Sequence, residues 1–234
     1  MTYASGQPVS APRGYAEWAS TYEAENVVTT LDQLAADRLT PALQGTRLLD
    51  AGCGTGRRLR RIRSALPSRA VGVDVVYEML RAGTWSAEAR RWPANADVAA
   101  LPFASRSFDI VWCRLVLGHV PDLTPAYHEF SRVLDGAGLL IVTDFHPAAA
   151  AAGHQRTFKD ASAGTRSLAF HAHSLESHAA TATAAGFEMV ERCEMGVGPE
   201  VRSFYEAADR LARYEADLGL RLVFGLAFRR PSTR

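Results

Sequence analysis

The sequence lacks several features that mark particular classes of protein. Only Lys159 is a lysine, and the net charge of +1 offers no surplus for binding nucleic acid or an anionic membrane. The 3 cysteines, at 53, 113 and 193, are too far apart for a disulfide framework or a paired metal motif. No apolar stretch approaches the ~20 residues of a membrane-spanning helix, and no apolar signal core opens the chain. These absences predict a cytoplasmic protein without a membrane or nucleic-acid partner.

What the sequence does contain predicts a packed globular domain. The 234 residues are 47% hydrophobic and 22% charged, which suits one domain with a sizeable core. We therefore expect residues 1–234 to form a single domain. Segments that read as strands alternate with segments that read as helices, among them helices over 76–88 and 201–212. This alternation predicts a mostly parallel sheet with helices on both faces.

The most informative stretch is LLDAGCGTG at residues 48–56. Two leucines lead into Asp50, and glycines follow at 52, 54 and 56 before a leucine-punctuated basic segment. This order predicts a buried strand, a tight turn and a helix start. Because glycine has no Cβ, a ligand could lie directly against the turn.

This stretch resembles motif I of the class I S-adenosylmethionine-dependent methyltransferases. The rival interpretation is an NAD(P)-dependent Rossmann-type oxidoreductase, whose fingerprint is G-x-G-x-x-G. Here Arg57 occupies the place of that third glycine. Asp50 would also repel a pyrophosphate, whereas it suits a ligand with a sulfonium and an amino group. A non-catalytic protein that only binds the cofactor is a further alternative.

The resemblance implies a fold and a cofactor. The fold is Rossmann-like α/β, with a seven-stranded, mostly parallel sheet in which strand seven is antiparallel. The cofactor is S-adenosylmethionine. Asp74, which lies 22 residues after Gly52, would accept the ribose hydroxyls, although it could instead cap the next helix. Asp97 and Val98 would meet the adenine.

The remaining cofactor contacts follow from position. The sequence CRL at 113–115 ends the predicted fourth strand, so its backbone would approach the methionyl group, and Arg114 could pair with the carboxylate or face solvent. The aromatic segment 15–22 resembles an N-terminal segment that folds over the cofactor. The expected cofactor-binding residues are Tyr15, Tyr22, Asp50, Gly52, Cys53, Gly54, Gly56, Asp74, Val75, Asp97, Val98, Cys113 and Arg114.

Two segments are expected to close the site. Residues 1–44 form a predicted helical lid segment. Residues 145–173 break the alternation of strands and helices and predict a hairpin-like insertion near the acceptor, with strands at 155–159 and 168–173 on either side of a turn at 161–164.

Four histidines are candidates on the acceptor side. His146 ends the predicted fifth strand and could accept a proton near neutral pH. His119 is expected first to shape the pocket and second to accept a proton. His171 and His173 would share one face of a predicted strand, which either lines the acceptor pocket or is an exposed face of the hairpin. No third ligand accompanies this pair, so no metal is expected.

The sequence therefore predicts methyl transfer from S-adenosylmethionine to a hydroxyl or amine of a small molecule. By analogy with the family, quinone-like or natural-product metabolism is the expected setting. The transfer is an in-line displacement at an already activated methyl carbon, so alignment is the protein's main task. The expected oligomeric state is a monomer or a homodimer.

Overall fold

The computed structural model describes residues 7–62, 67–86, 91–160 and 164–231. Within them the central sheet has seven strands in the order β3-β2-β1-β4-β5-β9-β8. Their bounds are β1 Arg47–Ala51, β2 Arg69–Asp74, β3 Arg91–Asn95, β4 Phe108–Arg114, β5 Leu134–Phe145, β8 Glu188–Gly196 and β9 Arg221–Arg229. A separate hairpin pairs β6 Thr157–Lys159 with β7 Thr165–Ser167.

The sheet topology confirms the predicted fold. Strands β1 to β5 are mutually parallel, and β9 lies antiparallel between β5 and β8. The central strand β1 is buried from Leu48 to Ala51, with Leu48 and Leu49 at 0% exposure. Because β2 and β4 flank β1 on opposite sides, the strand order reverses there, and a crevice opens at the carboxyl ends of these strands.

Helices cover both faces of the sheet. One face packs on α5 and α7, and the other packs on α2 and α3. The helix bounds are α1 Ala11–Trp18, α2 Val27–Leu39, α3 Arg57–Arg61, α4 Tyr77–Ala82, α5 Thr124–Val133, α6 Pro147–Ala151, α7 Leu175–Ala184, α8 Arg202–Ala207 and α9 Leu211–Asp217. None of the helices in the described ranges is long and apolar enough to span a membrane.

Three predicted elements differ from the structure. The helix expected over 76–88 ends at Ala82, where Gly83 leaves the helical conformation with a ψ of 163° and packs against the Thr55 carbonyl; residues 87–90 lie outside the described part. The helix expected over 201–212 is broken into α8 and α9, with Asp209 at a φ of 53° between them.

The third difference is the second strand of the hairpin, which lies at Thr165–Ser167 instead of 168–173. The turn expected at 161–164 falls mostly outside the described residues. Residues after β7 instead bond to other segments: Ala169 N donates to Val9 O, and His171 N donates to Gly118 O.

The N-terminal helix α1 packs against the hairpin. Val9 N donates to Ser167 O over 2.9 Å. Trp18 stacks on Phe158 with ring centroids 5.7 Å apart. Gly14 brings the helix backbone so close that an ideal Cβ would lie 2.2 Å from Leu168 Cδ2. The two segments expected to close the site are therefore in contact with each other.

A buried charge cluster joins α2 to the strands beneath the crevice. Asp32 in α2 is 2% exposed and accepts a hydrogen bond from Arg114 Nη2 over 2.9 Å. Asp32 Oδ1 accepts from the Thr143 hydroxyl, and Arg58 Nη2 lies 3.2 Å from Oδ2, the oxygen that Arg114 Nη2 also contacts. Burial alone would raise the pKa of Asp32, but Arg114 and Arg58 lower it to about 2. One carboxylate thus pairs with two buried guanidinium groups, and the nearby Asp50 carboxyl also attracts both.

We expect Asp32→Ala to lower the free energy of unfolding by about 3–5 kcal/mol, because it leaves two arginines buried without a counter-ion. Denaturant unfolding at neutral pH measures this. Since the folded pKa lies below the ordinary value, the stabilisation is present at neutral pH and is lost as the pH falls toward about 2.

The matched control is Asp37→Ala, on the exposed face of the same helix, for which we expect a change within about 0.5 kcal/mol. Equal unfolding energies for the two variants would contradict the role given to Asp32.

Candidate functional site

A cleft of about 320 Å³ opens at the carboxyl ends of β1, β2 and β4. Its position is the one that an open parallel sheet offers at a reversal of strand order. Its lining residues are Ala11, Pro12, Tyr15, Tyr22, Gly52, Gly54, Asp74, Val75, Val76, Met79, Asp97, Val98, Arg114, Leu115, Val116, His119, Val120 and Pro121. The N-terminal helix, the glycine turn and the segment after β4 therefore share one cavity.

The glycine turn has the left-handed backbone that its composition predicts. Gly52, Gly54 and Gly56 have φ values of 79°, 58° and 70°, which side chains rarely tolerate. An ideal Cβ on Gly54 would lie 3.0 Å from Met79 Cε and 3.6 Å from Tyr22 Cε1, both in cleft-lining residues. The missing side chain at position 54 therefore leaves room inside the cleft.

Asp74 fixes the turn to the end of β2. Its Oδ2 accepts from Gly54 N over 2.8 Å, and its Oδ1 accepts from Val76 N over 2.8 Å. The bond to Val76 N is the helix-capping contact that the alternative interpretation predicted. The carboxylate also lines the cleft. Each oxygen has a further lone pair, so the group can still accept a ligand's hydroxyls.

Two expected contacts lie at the far wall of the cleft. Asp97 is exposed and holds its own turn, with Oδ1 accepting from Ala99 N over 2.9 Å. Val98 is buried at 6% exposure and forms apolar wall. Val75 is 54% exposed at the rim.

Asp50 lies beneath the turn, outside the cleft lining. It is 0% exposed, and neither carboxylate oxygen has a hydrogen-bond partner among the described residues. Burial raises the pKa of Asp50 to about 6. Gly56 also lies outside the lining, where an ideal Cβ would meet the Trp85 ring at 2.5 Å.

The two predicted cysteine contacts do not reach the cleft. Cys53 turns its sulfur toward Gly72, 2.7 Å from an ideal Cβ there, and Cys113 is 0% exposed within β4. Burial raises the pKa of both thiols well above the ordinary value. Neither is a reactive thiolate.

Arg114 borders the cleft, but its charge is directed into the protein. The side chain is 1% exposed, with Nη2 donating to Asp32 Oδ2 and to Gln33 Oε1. Its guanidinium also lies over the Trp112 ring, 5.4 Å from the centroid. The side chain of Arg114 was predicted either to pair with a ligand carboxylate or to face solvent. Both predictions are wrong, because Asp32 in α2 is its counter-ion.

Three side chains converge at the other end of the cleft. The Tyr15 hydroxyl lies 3.1 Å from His119 Nε2 and accepts a hydrogen bond from Arg156 Nη2, also at 3.1 Å. His119 Nδ1 lies 3.2 Å from Ala169 O. Because a carbonyl only accepts, Nδ1 carries the ring proton, and Nε2 accepts from the Tyr15 hydroxyl. Burial and the nearby Arg156 lower the pKa of His119 to about 4.

The structure does not bring His146 to this cleft. It precedes α6, where Nδ1 accepts from Ala148 N over 3.0 Å and Nε2 lies 3.1 Å from Glu194 Oε2. Because its lone pair is used by the backbone, the imidazole has none left to accept a proton from an acceptor. The expected catalytic role therefore conflicts with this geometry.

His171 and His173 also lie outside the lining. They follow β7 without belonging to a strand, and their rings stack at 6.0 Å instead of lining a pocket face. His173 Nε2 bonds to Val120 O over 2.8 Å, which supports the cleft wall from behind. Among the described residues, no three His, Cys, Asp or Glu side chains are grouped to hold a metal ion.

Arg156 is the polar residue at this site that the sequence analysis missed. It precedes β6 in the insertion, and Leu168 N donates to its carbonyl over 2.8 Å. Arg156 is 9% exposed, and the local sequence pattern does not predict that burial. Only the packing of α1 against the hairpin brings it to Tyr15.

Comparison with known proteins agrees with this geometry. Residues 49–142 match the family described as methyltransferase domain. The chain is 34% identical over 146 residues to malonyl-[acyl-carrier protein] O-methyltransferase from Gallionella capsiferriformans (strain ES-2), covering 58% of this chain and 49% of that protein. It is 31% identical over 137 residues to 27-O-demethylrifamycin SV methyltransferase from Amycolatopsis mediterranei (strain S699), covering 56% and 50%. The matched part thus spans about half the length of these curated relatives.

The fold is also found in solved structures. An S-adenosylmethionine dependent methyltransferase from Mesorhizobium loti superposes with a TM-score of 0.65 at 20% identity, over 86% of this chain and 98% of that chain. At this identity the likeness establishes the shared fold.

We expect the His119 imidazole to remain neutral from about pH 5 to about pH 8, because its folded pKa is lowered to about 4. NMR of the ring protons measures this, with the denatured protein as reference at the ordinary value of about 6.5. Since the unfolded ring takes up a proton first, this group favours unfolding as the pH falls from about 6.5 to about 4. Titration of folded His119 near 6.5 would contradict the buried, neutral assignment.

Proposed function

We propose that this class I S-adenosylmethionine-dependent methyltransferase transfers the methyl group of its cofactor to an oxygen atom of a small-molecule acceptor. Family membership rests on the match over residues 49–142 and on the seven-stranded sheet with β9 antiparallel. The observation that carries the proposal is the cleft itself, in which the glycine turn and two acidic residues from neighbouring strand ends face one cavity.

The residues around the cleft fit S-adenosylmethionine. Gly54 leaves space beside Tyr22 and Met79 that a Cβ would fill. Asp74, with one lone pair free on each oxygen, suits the ribose hydroxyls, and Asp97 beside Val98 suits the adenine amine and ring. The buried, unpartnered Asp50 supplies negative potential below the turn, which favours a ligand with cationic groups.

The same turn disfavours a dinucleotide. A pyrophosphate needs unpaired backbone N–H groups, but Gly52 N and Cys53 N both donate to Val73 O over 2.8 Å, and Gly54 N donates to Asp74. These donors are already used. The Asp74 carboxylate, which lines the cleft, would also repel a pyrophosphate.

The chemistry of transfer requires little from the protein beyond alignment. S-adenosylmethionine supplies a methyl carbon bonded to a positively charged sulfur, which is already activated toward a nucleophile. The turn and Asp74 would hold the nucleoside, while α1 and the segment after β4 would restrict the acceptor's approach and exclude water. His119, neutral and hydrogen-bonded through both nitrogens, would orient Tyr15 instead of taking a proton.

Electrostatics at the acceptor end supports oxygen over nitrogen as the methylated atom. Arg156 places a positive charge behind Tyr15, which opposes an ammonium group and favours an oxygen nucleophile. The names of the two relatives from Gallionella and Amycolatopsis refer to methylation at oxygen. The cleft volume of about 320 Å³ suits a small molecule or the end of a longer one.

The activity is tested with S-adenosylmethionine labelled in the methyl group and a panel of oxygen and nitrogen acceptors. We expect transfer to oxygen acceptors. Tight binding of S-adenosylhomocysteine without any transfer would indicate a protein that only binds the cofactor. Binding of NAD(P) in preference to S-adenosylhomocysteine would overturn the assignment.

For the cofactor site, we expect Asp74→Ala to weaken S-adenosylhomocysteine binding roughly 10–100-fold, because a charged hydrogen bond contributes about 1.5–3 kcal/mol. Calorimetric titration measures the dissociation constant. Asp74→Asn, which retains one acceptor oxygen, should lose less affinity.

Asp37→Ala, on the exposed face of α2, serves as the control with unchanged affinity. A dissociation constant that does not respond to Asp74→Ala in a folded variant would remove this residue from the site.

A further inference from the structure

Arg57 occupies the place that a third glycine takes in a dinucleotide fingerprint, and the structure gives it a defined set of contacts. It opens α3 directly after the glycine turn, and it is buried at 8% exposure. Its Nη1 donates to the carbonyls of Glu23 and Ala24, over 3.1 Å and 3.4 Å. Its guanidinium also lies over the Tyr22 ring, 5.5 Å from the centroid. These contacts all go to residues 22–25, which we call the connecting segment because they lie between α1 and α2.

The glycine turn and α3 hold the connecting segment at further points. Glu23 Oε1 accepts from the Thr55 hydroxyl over 2.5 Å, and Thr55 is 0% exposed. Glu23 Oε2 accepts from Arg60 Nη2 over 2.6 Å, while Arg60 Nη1 donates to Thr55 O over 2.7 Å. Arg61 pairs with Glu25 at the surface. The connecting segment is therefore fixed to the turn that forms part of the cleft.

The buried charge of Arg57 depends on the connecting segment. Burial lowers the pKa of Arg57, and no carboxylate in the described part of the chain forms an ion pair with it. Its partners are two carbonyl oxygens and the electron-rich face of a tyrosine ring, all of which stabilise a guanidinium. Because these partners belong to residues 22–24, Arg57 favours the conformation in which Tyr22 lies against the turn.

Tyr22 connects these contacts to the cofactor cleft. Its ring is part of the cleft lining, whereas Arg57 is not. Tyr22 Cε1 lies 3.6 Å from the position of an ideal Cβ on Gly54, so the ring borders the space that this glycine leaves open. Two aromatic rings of α1 also contact it, with centroid distances of 5.0 Å to Trp18 and 5.9 Å to Tyr15. Arg57 and these rings together fix Tyr22 beside the turn.

We propose that Arg57 is a positioning residue for the cofactor: it holds Tyr22 over a ligand that lies on the glycine turn, without touching that ligand itself. This inference rests on the proposed function, because it requires S-adenosylmethionine in the cleft. A ligand covered by a fixed ring dissociates slowly, so Arg57 acts on the dissociation rate more than on the association rate. The reacting methyl carbon is not involved, so the effect lies in cofactor affinity and not in kcat.

A double-mutant cycle on S-adenosylhomocysteine binding tests this role. Calorimetric titration of the folded proteins gives dissociation constants for the wild type, Tyr22→Ala, Arg57→Met and the double variant. We expect each single change to weaken binding roughly 5–20-fold, and the double variant to lose no more than about 2-fold beyond the more severely affected single variant. Both changes remove the same covering ring, which is why their effects do not multiply. Arg57→Met combined with Asp97→Ala, at the far wall of the cleft, should give the product of the two single effects.

Kinetics and a conservative variant separate positioning from stability alone. Release of S-adenosylhomocysteine, followed by stopped-flow displacement, should be roughly 5–20-fold faster in Arg57→Met. KM for S-adenosylmethionine should rise by a similar factor, while kcat at saturating cofactor stays within about 2-fold. Arg57→Lys, which keeps the charge and a donor, should recover part of the affinity. The matched control is Arg38→Met, which removes an exposed arginine of α2 paired with Glu191 and should leave these quantities unchanged.

The outcomes separate this inference from the proposed function. Multiplying effects of Tyr22→Ala and Arg57→Met, or an unchanged affinity in folded Arg57→Met, overturn the positioning role and leave the cofactor assignment intact. A lower kcat with an unchanged KM overturns it as well. If the wild type does not bind S-adenosylhomocysteine, the proposed function fails and this inference fails with it. If Arg57→Met does not fold, Arg57→Lys takes its place in the cycle with Tyr22→Ala.

Discussion

The geometry of the cleft depends on how the turn after β1 is held by the end of β2. Val73 O accepts two backbone N–H groups of the turn, and Asp74 accepts the next one at Gly54. These bonds consume the donors that a phosphate would use and leave a carboxylate at the surface of the cavity. Because three glycines allow the backbone to adopt positive φ here, the turn can lie flat beneath a ligand.

The distribution of buried charge extends this arrangement. Under the turn, Asp32 forms ion pairs with both Arg58 and Arg114, so these pairs connect α2 to α3 and β4. At the opposite end, Arg156 lacks such a partner. The proposed preference for an oxygen acceptor depends on this positive charge behind Tyr15.

The acceptor end is built by segments distant in sequence. Helix α1 contributes Tyr15, the segment after β4 contributes His119, and the insertion contributes Arg156. Backbone bonds from Val9 to Ser167 and from His171 to Gly118 hold the three segments together. A change in any one segment would alter the others, which is how such a site can vary its acceptor while the sheet and the glycine turn remain.

The sequence alone determined the strands, the turn and the acids at the strand ends, because these follow from local rules: apolar runs for buried strands, glycine for positive φ, and an acid directly after a strand. The antiparallel seventh strand was implied by the family resemblance. Asp74 and Asp97 lie in the cleft where such rules place them. Tertiary packing alone decided the orientation and hydrogen bonding of side chains whose partners are distant in sequence. The Arg114 side chain points inward because Asp32, 82 residues away, is buried beside it. The lone pair of His146 accepts a hydrogen bond from Ala148 N at the start of α6. Arg156 met Tyr15 across 141 residues. Burial and pairing of charges are properties of the assembled fold, and no local pattern carries them.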